Sequence, residues 1–151
     1  MNNLKSEIIE HLTNIKNYLI QLKEYYKVQA YSKVLIQLYT LKHPIYNYDD
    51  FIKYIKAGDR INKKVKELIE TGKIDYEIEN IKNDNIYLFK QELNEIYGIG
   101  KVKIDEIIAN NITSIEQLKN NQHLLNNKQK IGLLYYDDIK KRIRHLKLDN
   151  S

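Results

Sequence analysis

Apolar residues recur at helical spacing along most of this chain. Ile8, Ile9, Leu12, Ile15, Leu19 and Leu22 share one face of a first helix. Ala30, Val34, Leu35, Leu38 and Leu41 share one face of a second. With one proline, Pro44, and five glycines, breakers are few, and an all-α fold is expected. The segment His43 to Tyr48 reads as a turn, with Asn47 or Asp49 capping the helix that follows. Gly58 opens the next helix, and Gly72, after Thr71, closes it. Residues 79–86 read as a linker, and a helix from Tyr87 follows. Asn110 and Asn111 suit a left-handed cap, and Ser114 with Gln117 forms a capping box before Leu118. A last helix is expected from about Asn127 to Arg144, carrying Ile131, Leu134, Tyr135, Ile139 and Ile143. Gly132 within it costs about 1 kcal/mol relative to alanine, so it is expected to mark a close helix contact. Two helical subdomains result, 1–80 and 86–151.

Each subdomain is built round one glycine-bearing turn. Tyr97-Gly98-Ile99-Gly100-Lys101-Val102-Lys103 follows the helical run Leu88 to Ile96. It leads into a basic helix with Ile104, Ile107 and Ile108 on one side. The glycines let the chain turn with little bulk and approach another surface closely. The amides that open the second helix are then free to meet a phosphate. A weaker copy runs from Phe51 through Lys56-Ala57-Gly58 to Leu68 and Ile69. Two helix-hairpin-helix units in one small basic chain point to DNA.

The net charge of +5 is uneven: +1 over residues 1–50, +3 over 51–75, −3 over 76–95 and +4 over 96–151. The excess therefore sits on the two hairpin regions, as a polyanion partner requires. On charge alone, a solvated lysine-rich surface accounts for it equally well. No stretch has the roughly 18 apolar residues of a membrane helix, and no signal-peptide core opens the chain. There is no cysteine, which excludes disulfides and thiolate metal sites. Gly100-Lys101 does not complete a phosphate-binding loop, and the four histidines have no ligand spacing. An intracellular protein is expected. The Ile-, Asn-, Lys- and Tyr-rich composition suits an AT-rich genome, so the expected compartment is the nucleus, or a viral replication site or virion.

The residues from Tyr97 to Arg144 go further. Gly98-Ile99-Gly100, Ile112 to Leu118, Leu125-Asn126, Gln129-Lys130-Ile131-Gly132-Leu133 and Tyr135-Tyr136-Asp137-Asp138 fit, without a gap, the second hairpin region of a known family. Upstream, Glu67 to Lys73 matches the end of that family's lyase helix. The chain resembles the amino-terminal region of X-family DNA polymerases of the beta-like kind, over roughly residues 8–148. The palm's Gly-Ser and paired-aspartate motifs are absent. Asp49-Asp50 and Asp137-Asp138 are no substitutes, because adjacent helical side chains diverge by about 100°.

The resemblance implies a module that binds gapped or nicked DNA at a 5′-phosphate and removes 5′-deoxyribose phosphate through a Schiff base. It places the nucleophilic lysine at Lys64, with Tyr31 orienting it by a hydrogen bond. Lys27, Arg60 and Lys63 supply charge, and Gly98, Gly100, Lys101 and Lys103 hold DNA at the second hairpin. The lyase chemistry needs no cofactor. A monovalent cation, Na⁺ or K⁺, is implied at the carbonyls of Asn94, Ile96 and Ile99, and less directly at Ile52, Tyr54 and Ala57. Other repair proteins or a polymerase palm are further implied partners. No membrane contact is expected, and the chain is expected to be a monomer. Three positions depart from the pattern: Lys56 stands in place of a glycine, Lys63 in place of an acid, and Tyr76 in place of a lysine. Alternatives stay open: an inert DNA-tethering module, the front part of a longer polymerase, or, more remotely, a helical protein-interaction domain.

Overall fold

The computed structural model describes residues 2–149. All regular structure among them is helical. Backbone contacts divide the chain between Asn83 and Asp84 into two compact units.

The first unit pairs α1 (Lys5–Gln21) with α2 (Tyr25–Thr40), followed by α3 (Tyr48–Tyr54) and α4 (Asp59–Thr71). α1 buries Ile8, Leu12, Ile15, Tyr18 and Leu19, while α2 buries Tyr31, Val34, Leu35 and Leu38. Asn47, rather than Asp49, caps α3: its Oδ1 accepts the Asp50 N–H at 2.8 Å. α4 is sharply one-sided. Ile61, Val65 and Leu68 are buried, and Arg60, Lys63 and Lys66 are exposed. Each such side chain is worth about 1.5–3 kcal/mol when fully buried, so the roll of α4 is firmly set. Gly72 ends α4 in the left-handed conformation, φ +80°.

The segment expected to be a linker is partly helical. Glu77–Ile81 forms a π-helical turn. It is held by buried Ile74 and Ile81 and by the pairing of His11 Nδ1 with Glu77 Oε1 at 2.5 Å. The helix expected from Tyr87 starts earlier, as α5 (Asn85–Asn94), because Asp84 Oδ1 accepts the Tyr87 N–H at 3.0 Å. The Asn-rich composition hides both elements.

The second unit continues with α6 (Lys101–Ala109), α7 (Ile115–Lys119), a 3₁₀ turn (Gln122–Leu124) and α8 (Asn127–Asp149). Its core includes Phe89, Leu93, Ile96, Ile104, Ile107, Leu118 and Leu133. Ser114 Oγ accepts the Gln117 N–H at 3.1 Å, and Gln117 Oε1 accepts the Thr113 N–H at 2.9 Å. Asn111 takes the left-handed turn, φ +62°.

α8 turns much of its apolar series outward. Ile131, Leu134, Tyr135, Ile139 and Ile143 lie on its exposed face, and Gln129, Leu133 and Tyr136 are buried. Gly132 is the reason. A Cβ there would stand 2.2 Å from the Tyr97 carbonyl oxygen, so the helix docks close with its glycine side inward. α8 also runs past Arg144, supported by the i,i+4 pairs Asp137–Lys141 and Asp138–Arg142, each 3.1 Å. No described helix is long and apolar enough to cross a membrane.

The contact at Gly132 is with backbone, which cannot swing aside. Gly132→Ala is therefore expected to destabilise the chain by about 1–3 kcal/mol in chemical denaturation. Gly58→Ala, where a Cβ meets nothing within 4 Å, should change stability by no more than about 0.5 kcal/mol. Equal stability of the Gly132→Ala and wild-type chains would contradict this packing.

Candidate active site

A cavity of about 480 Å³ in the first unit gathers side chains from α1, α2, α4 and the turn after α4. Lys27 and Tyr31 lie one turn apart on α2, and Arg60 and Lys64 one turn apart on α4. All four line the cavity, with Leu19, Ala30, Ile61 and Tyr76 as its less polar wall. Lys63 is exposed and does not line it, and neither does Lys73. Four of the residues expected to act together are thus brought together.

The surroundings tune two of them. Lys64 titrates below an ordinary lysine, because burial disfavours its ammonium and the cations of Arg60 and Lys27 repel it; Glu67 opposes this. Lys64 Nζ also lies 5.2 Å above the centre of the Tyr76 ring. That contact favours the ammonium by roughly 0.5–1 kcal/mol, an influence of opposite sign. Burial, with Tyr76 nearby, pushes the Tyr31 hydroxyl up to about 12, so it stays a neutral donor at physiological pH. No hydrogen bond joins Tyr31 to Lys64. Lys27 is held by Glu24, with Nζ 3.2 Å from Oε1.

Both hairpin turns are gripped by a glutamine amide. In the first unit, Gln37 Oε1 accepts the Lys56 N–H and Gln37 Nε2 donates to the Lys56 carbonyl, each at 2.8 Å. In the second, buried Gln129 donates from Nε2 to the Gly98 carbonyl at 3.0 Å. Gly98 has φ +88°, whereas Lys56 stays out of the left-handed region, so a lysine is tolerated there. Gly58 and Gly100 are different again. They precede α4 and α6 with φ −73° and −105°, and neither carries a side-chain cap. A Cβ at either would meet nothing within 4 Å. Neither strain nor packing asks for glycine at these two positions. Both leave a helix N-terminus uncovered.

Lys101 is exposed beside that N-terminus. Lys103 is not the free cation expected. Its Nζ donates to the Leu124 carbonyl at 2.6 Å and to Glu106 Oε2 at 2.8 Å, tying α6 to the turn before α8. Neither aspartate pair is free either. Asp50 Oδ2 accepts the Tyr46 N–H at 3.0 Å, Asp137 bridges Lys119 and Lys141, and Asp138 pairs with Arg142. The described residues gather no group of three or more His, Cys, Asp or Glu side chains fit to hold a metal. A cation at the second hairpin would rest on backbone carbonyls. The Ile96 carbonyl accepts the Ile99 N–H at 3.2 Å, and a carbonyl has a second lone pair to give.

Comparison with known proteins bears on this second unit most directly. Residues 91–140 match the family model described as the fingers domain of DNA polymerase lambda. The chain is 31% identical over 83 residues to DNA nucleotidylexotransferase of Xenopus laevis, covering 54% of this chain and 16% of that protein. It is 30% identical over 95 residues to DNA polymerase lambda of Arabidopsis thaliana, covering 62% of this chain and 18% of that protein. The chain spans a fifth or less of the length of these relatives. The resemblance to X-family DNA polymerases is supported by these matches.

The two glycines of the second hairpin should separate in a stability test. Gly98→Ala forces a Cβ into the left-handed region and is expected to cost about 1–2 kcal/mol. Gly100→Ala should stay within about 0.5 kcal/mol of wild type. Equal losses in urea denaturation would contradict the turn geometry.

Proposed function

We propose that this chain is a DNA-repair module that binds gapped or nicked DNA and removes a 5′-deoxyribose phosphate, with Lys64 as nucleophile. The observation that carries this reading is the single cavity in which Lys64 meets Lys27, Tyr31 and Arg60. Lys27 and Arg60 bind the sugar's phosphate, since charge-assisted contacts are the strong ones. The neutral Lys64 amine attacks the C1′ aldehyde carbon. Water leaves, and a C=N bond forms between Nζ and C1′. A C2′ proton passes to solvent, the electron pair expels the C3′ oxygen, and DNA with a 5′-phosphate departs. Water then cleaves the imine and restores the amine. Burial and two neighbouring cations supply the unprotonated fraction that this attack requires.

The second hairpin extends the grip. The first amides of α6, uncovered at Gly100, meet a backbone phosphate, and Lys101 adds charge. Such contacts position the protein and carry no sequence information, and they weaken with salt as counterions are released. Carbonyls of Asn94, Ile96 and Ile99 are the proposed seat of a monovalent cation.

Borohydride reduction should trap a covalent adduct between the wild-type chain and an incised abasic substrate, and Lys64→Ala should lose most of it. Equal trapping by Lys64→Ala would remove Lys64 from the role. The pH dependence adds a sign. Arg60 helps to depress the Lys64 amine, so Arg60→Ala raises its pKa. The single-turnover trapping rate, read at saturating DNA, should then rise with pH at a higher midpoint than in wild type. An unmoved or lowered midpoint would contradict the electrostatics of the cavity.

A further inference from the structure

We propose that Tyr76 is a positioning residue for Lys64, its ring face acting as the seat from which the amine is presented to the substrate. This rests on the reading of Lys64 as nucleophile. Lys64 Nζ has no hydrogen-bond or ion-pair partner among the described residues, and it lies 5.2 Å above the Tyr76 ring centre. A lysine stem has many rotamers, and attack on an aldehyde carbon needs the amine held at near-contact distance. A carboxylate in this place would lock the ammonium form by a salt bridge. A second lysine would repel it. An aromatic face favours the ammonium far less than a salt bridge would, so it holds the side chain and still lets the amine lose its proton.

The ring is itself well anchored. It packs edge-to-face with the Tyr18 ring, the ring centres 6.3 Å apart and the planes at 71°. Buried Ile74 lies two residues before it, and the π-helical turn Glu77–Ile81 begins just after it. His11 clamps that turn through Glu77, and Asn80 Nδ2 donates to the Tyr76 carbonyl at 3.1 Å. Tyr76 titrates above an ordinary tyrosine, chiefly through burial, so the ring remains neutral when Lys64 acts. The π-helical turn thus has a purpose beyond connection. It fixes one wall of the cavity at a height set by α1.

The test uses the full chain with Tyr76→Leu and Tyr76→Phe, and Tyr76→Met in place of the leucine variant if that one does not fold. At saturating gapped DNA, Tyr76→Leu should trap about tenfold more slowly than wild type, a loss of orientation. Its affinity for the gap should change by no more than about twofold, because the phosphate contacts are untouched. Tyr76→Phe, which keeps the ring, should recover most of the rate. A substrate-free readout accompanies this. In the chain reductively methylated with ¹³C, the Lys64 signal is the one lost in Lys64→Arg. It should be shifted upfield by the ring in wild type and Tyr76→Phe, and return to the ordinary lysine position in Tyr76→Leu. Wild-type trapping speed in Tyr76→Leu, or an unshifted Lys64 signal in wild type, would overturn the role of Tyr76 while leaving Lys64 in place. No adduct from wild type under any condition would overturn the nucleophile reading, and the positioning role with it.

Discussion

Burial of Ile61, Val65 and Leu68 fixes the roll of α4, and the candidate active site depends on it. Arg60 and Lys64 each precede a buried residue by one position, so their side chains emerge at the edge of the apolar stripe. Lys64 is half-buried there, and Arg60 is exposed one turn before it. That border position makes the Lys64 amine part-buried and puts it near two cations. A roll of one residue, about 100°, would carry Lys64 either into solvent or into the core. Gln37 holds the turn before α4 by both backbone groups of Lys56, so the helix is set in position as well as in roll.

The second unit reaches a similar end by different packing. α8 is drawn in at Gly132 until it meets the Tyr97 carbonyl. That approach brings the Gln129 amide within reach of the Gly98 carbonyl. The hairpin is thereby clasped from below, and the start of α6 is left facing outward. The spacing from Gln129 to Gly132 is one helical turn, so clasp and close approach share one face of α8. A larger residue at position 132 would push the helix away and loosen the clasp with it.

Much of this was readable from the sequence because it rests on local periodicity. Lys27 with Tyr31, and Arg60 with Lys64, are i,i+4 pairs, and the resemblance to X-family polymerases said which pairs to join. The caps at Asn47, Ser114 and Gly72 carry their own chemistry. What escaped depends on packing between elements. Lys103 looked like a surface charge, yet the carbonyl of Leu124, distant in sequence, accepts a hydrogen bond from its ammonium. The apolar series from Ile131 to Ile143 does not tell which face is buried; a single glycine decided the roll of α8. Tyr76 looked like a loss, a lysine replaced. Only the fold shows that its ring lies under Lys64. The π-helical turn left little trace in a stretch rich in asparagine, where short-spaced isoleucines are its main apolar residues.

One lysine in one cavity is proposed to do the covalent chemistry. Twenty-one other amines of the same type lie elsewhere along the chain, so the direct test is to find which of them carries the sugar. The wild-type chain would be reduced with borohydride on an incised abasic substrate, digested, and its adduct located by tandem mass spectrometry. The reduced sugar is expected on the Nζ of Lys64. An adduct located on another lysine, or spread evenly over exposed lysines such as Lys63 and Lys66, would contradict it.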